Sequence, residues 1–213
     1  MIDILSSALT SDEGPVFHLQ GGGISYLFRV TKYGHLEHVH FGARVELGSE
    51  PFDSVAALAV KRPANGEGVK YHPDDTSYNL DRLPSEYSGL GKGDYRLPAI
   101  ETTMPDGTFV TDLRYVSHAV HEGAVPCLDG LPTALAADGP CRTLQVDLAD
   151  GDLGATLYYT IFPESNVVTR RTVLSNRSEV TLRVRRLMSQ LIDLPDRGFD
   201  LVTFDGAWIA EAH

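Results

Sequence analysis

Three histidines crowd one short stretch of this chain: His35, His38 and His40. His38 and His40 are two apart, and on a strand that spacing puts both imidazoles on one face, as in a metal-ligand pair. A third ligand has to come from elsewhere, with His118 and His121 as the candidates. The competing reading is a sheet face that carries polar aromatics; it is the one adopted, and no metal is assigned. Asp74 and Asp75 are adjacent carboxylates beside Pro73. They offer half of an acid/base pair, or simply a solvated loop. Arg170, Arg171, Arg183, Arg185 and Arg186 gather on neighbouring alternating segments. On an acidic chain they read as cross-strand ion pairs before they read as an anion site. Asn176-Arg177-Ser178 fits a glycosylation acceptor but is taken as a hairpin turn. The glycines of 89–93 lack the spacing and the strand-to-helix frame of a phosphate loop. G-x-S-x-G, H-E-x-x-H and C-x-x-C are absent from the sequence.

The richest segment is 79–100, NLDRLPSEYSGLGKGDYRLPAI. It holds Glu86, Tyr87, Asp94, Tyr95 and Arg96 in a loop with prolines towards both ends. A loop of this kind stays ordered only if side chains satisfy its backbone. Acid, tyrosine and arginine together also suit hydroxyl-rich ligands. The alternative is a surface that docks on another domain, and that is the reading preferred.

Whatever these residues do, strands must position them. The dominant period is two. In 143–149, Leu144, Val146 and Leu148 oppose Thr143, Gln145 and Asp147; 180–187 alternates in the same way. Such alternation predicts half-buried antiparallel strands. Similar runs cover 24–30, 35–41, 109–120, 155–162 and 167–174. Asp150-Gly151 and Asp205-Gly206 supply turn chemistry, and 143–192 reads as a meander of four strands. Helix is confined to one or two turns at 54–60. Residues 61–100 and 122–140 read as irregular. The fold class is therefore all-β, a large antiparallel sandwich with little helix, in one domain over 1–213. The last strand pair, 201–204 and 207–210, is expected to form a hairpin, which makes the chain look like the first part of a longer one.

Composition narrows the function. The chain has 213 residues, and 18 basic against 29 acidic side chains leave a net charge of −11. Phosphate-backbone binding and adhesion to anionic membranes both need clustered cations, so neither nucleic acid nor membrane is an expected partner. The N-terminus lacks the basic and apolar pattern of a secretory signal. Cys127 and Cys141 make no disulfide framework. A cytoplasmic location with two free thiols is expected.

At the 79–100 loop the sequence becomes recognisable. Leu83-Pro84-Ser85-Glu86-Tyr87, Gly91, Asp94-Tyr95-Arg96 and Pro98-Ala99 resemble the signature of the N-terminal domain of glycoside hydrolase family 36, the bacterial α-galactosidases. Other segments resemble it in order: Tyr33 to Val39 with Phe41-Gly42, Val110 to Tyr115, Leu128 to Pro132, Tyr159 to Arg170, and Asp205 to Trp208. The resemblance implies a β-supersandwich that precedes a (β/α)₈ barrel and a C-terminal sheet domain. It also implies retaining hydrolysis of melibiose- or raffinose-type α-galactosides. A retaining mechanism needs two carboxylates about 5 Å apart. In the family both are aspartates of the barrel, so no catalytic residue is assigned here and the chain alone should be inactive. Neither cofactor nor metal is implied. The loop 52–78 would reach a neighbouring subunit's active site, which makes Asp53 the candidate substrate contact. Glu86, Tyr87, Asp94, Tyr95 and Arg96 would form the surface that docks on the barrel. A stand-alone carbohydrate-binding or assembly module is the alternative from another class. Against it, Trp208 is the single tryptophan.

Overall fold

In the computed structural model the described residues are 1–5, 14–60, 69–127, 130–131, 133–134, 139–194, 198, 200, 202–204, 206 and 208–209. Ten strands, one helix and one short 3₁₀ turn are assigned among them. β1 (Ile2–Leu5), β2 (Val16–Gln20), β3 (Ile24–Val30) and β4 (Leu36–Ala43) form one antiparallel sheet in sequence order. α1 spans Pro51–Leu58, the 3₁₀ turn spans Leu80–Arg82, and β5 spans Ile100–Thr103. β6 (Arg114–Glu122), β7 (Arg142–Asp150), β8 (Leu153–Phe162) and β9 (Val167–Asn176) form a second antiparallel sheet, again in sequence order. β10 (Arg183–Leu187) pairs with β5 in a separate ribbon.

The core lies between the two sheets. Phe17, Tyr26 and Phe28 meet Leu144, Leu157 and Tyr159 there, and Phe28 stacks on Tyr159 with ring centroids 4.8 Å apart. This is the sandwich that the period-two pattern predicts. The alternation of β7 holds over Leu144, Val146 and Leu148, which are buried on one face, and is broken where Thr143 is buried against Thr160 of β8 on the other. The first sheet is different, because its outer face is also covered: Val16, Leu27 and Val39 pack with Val55 of α1. β2 is therefore buried along its whole length, including His18 and Gln20. His18 is accommodated by a 2.8 Å hydrogen bond with Ser25 Oγ. A strand covered on both faces shows no alternation, which is why 16–20 carries no sequence signal.

Three expectations need correction. The meander runs β6-β7-β8-β9 and does not include β10. After β9, Asn176 Oδ1 accepts from Ser178 N and Oγ while its Nδ2 donates to Val180 O. This side-chain-stapled turn carries the chain off the sheet, so Asn176-Arg177-Ser178 closes no hairpin. β10 then pairs with β5, and Met188 N donates to Ala99 O just beyond it. Second, β6 begins at Arg114, not at residue 109; Thr111 N instead donates to Leu90 O, which ties this stretch to the 89–93 loop. Third, helix begins at Pro51, earlier than expected, because proline is well suited to the first helical position. The C-terminal hairpin falls partly outside the described residues, which omit Leu201, Asp205, Ala207 and Ala210; residues 202–204 carry no strand. Leu128, Asp129 and Pro132 are likewise outside the described residues.

The approach of the 89–93 loop to Thr111 is tight. A Cβ built on Gly89 would lie 2.2 Å from the Thr111 carbonyl oxygen. That is backbone, which cannot swing aside. Gly89→Ala is expected to cost about 1–3 kcal/mol in urea unfolding, as overpacking does. A cost under ~0.5 kcal/mol would show that the two loops separate freely.

Candidate functional site: a saturated glutamate between the sheets

Leu36 O and Pro84 O accept from Glu86 N and His38 N, so the start of the signature loop is laced to β4. This carries the Glu86 side chain into the interior, where it is fully buried. The Tyr26 hydroxyl lies 2.9 and 2.8 Å from the two carboxylate oxygens, and the Tyr159 hydroxyl donates at 3.0 Å. His38 Nδ1 donates at 2.6 Å, and Arg170 Nη1 lies 3.2 Å away. Arg170 also donates to Glu86 O and Leu191 O. It sits above Tyr159, with the guanidinium carbon 4.7 Å from the ring centroid.

Burial alone would push the Glu86 carboxyl up. The charge of Arg170 and the hydrogen bonds from His38 and Tyr26 outweigh it and hold the carboxyl below its ordinary range. Burial first, and then the glutamate, push the Tyr26 phenol well above its ordinary value. Tyr159 moves in the same direction, again chiefly through burial. The site thus contains an ionised glutamate and neutral phenols. A carboxylate with four side-chain partners and no water-facing oxygen has no room to attack a substrate or to pass a proton. Its chemistry is structural: it pins loop, first sheet and second sheet at one point.

The histidine trio dissolves for a geometric reason. The β3–β4 ladder slips by one residue, so Phe28 pairs with His38 while Leu27 pairs with His40. The bulge at Val39 turns the two imidazoles to opposite faces. His38 goes to the core, and His40 Nε2 reaches Ala43 O. His118 bonds Tyr115 and His121 bonds Gln145. Among the described residues no group of three His, Cys, Asp or Glu could hold a metal ion.

The remaining sequence candidates separate. Tyr87 is buried and donates to Met188 O, and burial pushes its phenol up to about 12. Asp94 accepts from Arg96 N, Nε and Nη2. Arg96 also bridges to Asp193, Leu80 O and Leu83 O, so it closes the loop on itself. Its neighbours Tyr95 and Leu97 point outward, 83% and 62% exposed. Asp53 is exposed on α1. Asp75 is tied to Lys32 and to Ser77, while Asp74 N donates to His72. Of the arginines, Arg170 meets Glu86 and Arg185 meets Glu101 across the ribbon, as ion pairs should. Arg171 instead lies over the Tyr158 ring and donates to Pro126 O.

Tyr26 and Tyr159 were not singled out from the sequence. The usable signal was register: Tyr159 and Arg170 are direct cross-strand partners. A second cluster was also missed. His35 Nε2 and the Tyr71 hydroxyl both donate to Asp112, each at 2.9 Å.

The geometry defines an antiparallel β-sandwich domain whose central acid, Glu86, is fully committed to internal partners. The chain belongs to the glycosyl hydrolase family 36 N-terminal domain family, whose model matches residues 34–213. It is 34% identical over 195 residues to alpha-galactosidase AgaA of Geobacillus stearothermophilus, a match that covers 90% of this chain and 26% of that protein. A structure of an AgaA variant in complex with raffinose superposes with TM-score 0.81 at 32% identity, covering 91% of this chain and 26% of that one. The alpha-galactosidase from Lactobacillus brevis gives TM-score 0.83 at 29% identity, covering 93% of this chain and 26% of that one. The chain spans about a quarter of the length of the curated relatives it matches, 26% of the first.

Proposed function

We propose that this chain is the non-catalytic N-terminal domain of an α-galactosidase that hydrolyses terminal α-galactosides of the melibiose and raffinose type with retention. In this role it supports a catalytic barrel, assists oligomerisation and helps to form the path of substrate entry. The observation that carries the reading is the match to one quarter of alpha-galactosidases. The saturated state of Glu86 agrees with it. Tyr95 and Leu97, held outward by the Arg96 staple, are the proposed contacts to the barrel. Asp53, exposed on α1, is the proposed contact to substrate in a neighbouring subunit. A cytoplasmic location is proposed with it; both cysteines are free, which suits a reducing compartment.

The test is turnover. The 213-residue chain is expected to leave raffinose untouched. A protein in which it precedes its barrel is expected to release galactose with the α configuration retained. In that longer protein Asp53→Ala is expected to lower kcat/KM by about tenfold or more, the effect of losing one charge-assisted hydrogen bond, without lowering Tm. Turnover by the short chain overturns the non-catalytic assignment. A gene that stops at codon 213, together with measurable sugar affinity, turns the reading to a stand-alone binding module.

A further inference from the structure

We infer that the cleft bounded by the 89–93 loop, the β7–β8 turn and the segment after β9 is a binding site for a neutral saccharide. The cleft has a volume of ≈ 560 Å³, within the range of small-molecule sites. Its apolar lining is Met104, Val110, Leu153 and Leu182. Its walls bring together charges of both signs. Lys92 and Arg114 contribute cations, and Asp150 and Asp152 contribute carboxylates.

One of these groups, Asp150, is held in place, and the others keep their polar atoms open to the cleft. Asp112, also in the wall, is clamped by His35 and Tyr71, and its backbone N donates to Asp150 Oδ2 at 2.8 Å. That bond orients Asp150 and leaves its other carboxylate oxygen open. Lys92 has φ +55°, between Gly91 at +106° and Gly93 at +91°. A lysine in this left-handed region is strained, and the surrounding turn holds it there. Among the described residues the Lys92 ammonium, the Arg114 guanidinium and the Asp152 carboxylate form no hydrogen bond or ion pair.

The chemistry selects the ligand. An anion meets Asp150 and Asp152, and a cation meets Lys92 and Arg114. A neutral polyol suits both, because each hydroxyl donates to a carboxylate or accepts from a cation. Its C–H face then rests on Val110 and Leu182. Among the described residues no aromatic ring lines the cleft, so affinity should be on the order of millimolar. The inference stands on the cleft alone, and holds whatever reaction a longer protein catalyses.

The test is an amide-shift titration of the isotope-labelled 213-residue chain with raffinose, and with galacturonate and inorganic phosphate as charged probes. Saturable shifts are expected at residues 92, 114 and 150–153. Arg114→Ala and Asp152→Asn, both at exposed positions, are each expected to weaken binding about tenfold. Raffinose that produces no shifts at ~100 mM, far above a millimolar constant, overturns the site. So do shifts that lie elsewhere or survive both substitutions. Tighter binding of phosphate or galacturonate overturns the assignment to a neutral ligand.

Discussion

Glu86→Ala is expected to bring this domain close to unfolding. The substitution leaves the Arg170 guanidinium, 3% exposed, without its counter-ion. It also strands the hydroxyls of Tyr26 and Tyr159 and the Nδ1 of His38 without their acceptor. Removing one partner of a buried ion pair costs about 3–5 kcal/mol, because the other charge stays buried and uncompensated. Total stability of a domain is about 5–15 kcal/mol. For a chain of this size each kcal/mol moves Tm by about 2–4 °C, so a fall of about 6–20 °C is expected where the variant folds at all. Arg170→Met should cost a similar amount, since it leaves the carboxylate alone. The double variant Glu86→Leu with Arg170→Met should recover only the part that comes from an unpaired charge, since the hydroxyls of Tyr26 and Tyr159 and the Nδ1 of His38 still lack their acceptor. Thermal and urea melts of the three variants measure this. A loss under ~1 kcal/mol for Glu86→Ala means that water reaches the cluster and the pin is not one.

The second large effect is a stability plateau bounded by this same cluster. The folded state holds the Glu86 carboxyl below its ordinary 4.5. Unfolded chain therefore binds that proton more readily. Stability is fully present above the ordinary value and is lost as pH falls through the folded one. The tyrosines act at the other end with the opposite sign. Tyr26 and Tyr159 hold their protons well above 10 in the fold, chiefly because a phenolate cannot be solvated there. Tyr87 does so up to about 12 for the same reason. Unfolded phenols ionise near 10, so their contribution is whole below that pH and disappears above it. Tyr87 alone accounts for about 3 kcal/mol between pH 10 and 12. Urea unfolding followed from pH 3 to 12 should show a flat centre, an acid limb and a steep alkaline limb. Tyr87→Phe should flatten the alkaline limb by that one share, and Glu86→Gln should make the acid limb shallower by its own share, the rest belonging to carboxyls such as Asp112 that the fold also holds below their ordinary range. A stability curve indifferent to both substitutions would mean that the phenol and the carboxyl are solvated.

Much of this architecture could be read from local pattern. Alternation located β7, β8 and β9, because each has its apolar side chains on the face towards the core; it located β3 as well, although Leu27 on the other face of that strand packs under α1. The same logic missed β2, which is covered on both faces. It also overextended the meander, because β10 alternates while its apolar side chains Val184 and Leu187 remain exposed. Period reports that a segment is a strand; it does not report which strand it joins.

The candidate residues divide along the same line. The sequence alone placed Glu86, Tyr87, Asp94 and Arg96 in one loop and marked them as a unit, because their acid, phenol and guanidinium groups must satisfy a backbone that has no ladder to do so. Sequence also determined the fold class, since side-chain period is a property of consecutive residues. What the tertiary structure decided is orientation. A one-residue slip opposite Leu27 and Phe28 sent His38 inward to Glu86 and His40 to the other face. The partners Tyr26, Tyr159 and Arg170 stand 60, 73 and 84 residues from Glu86 in the chain. Only the packing of one sheet on the other brings them within hydrogen-bond reach, and burial there fixes their charge states. Local spacing carries no record of either, because electrostatic environment depends on distance in space and not on distance along the chain.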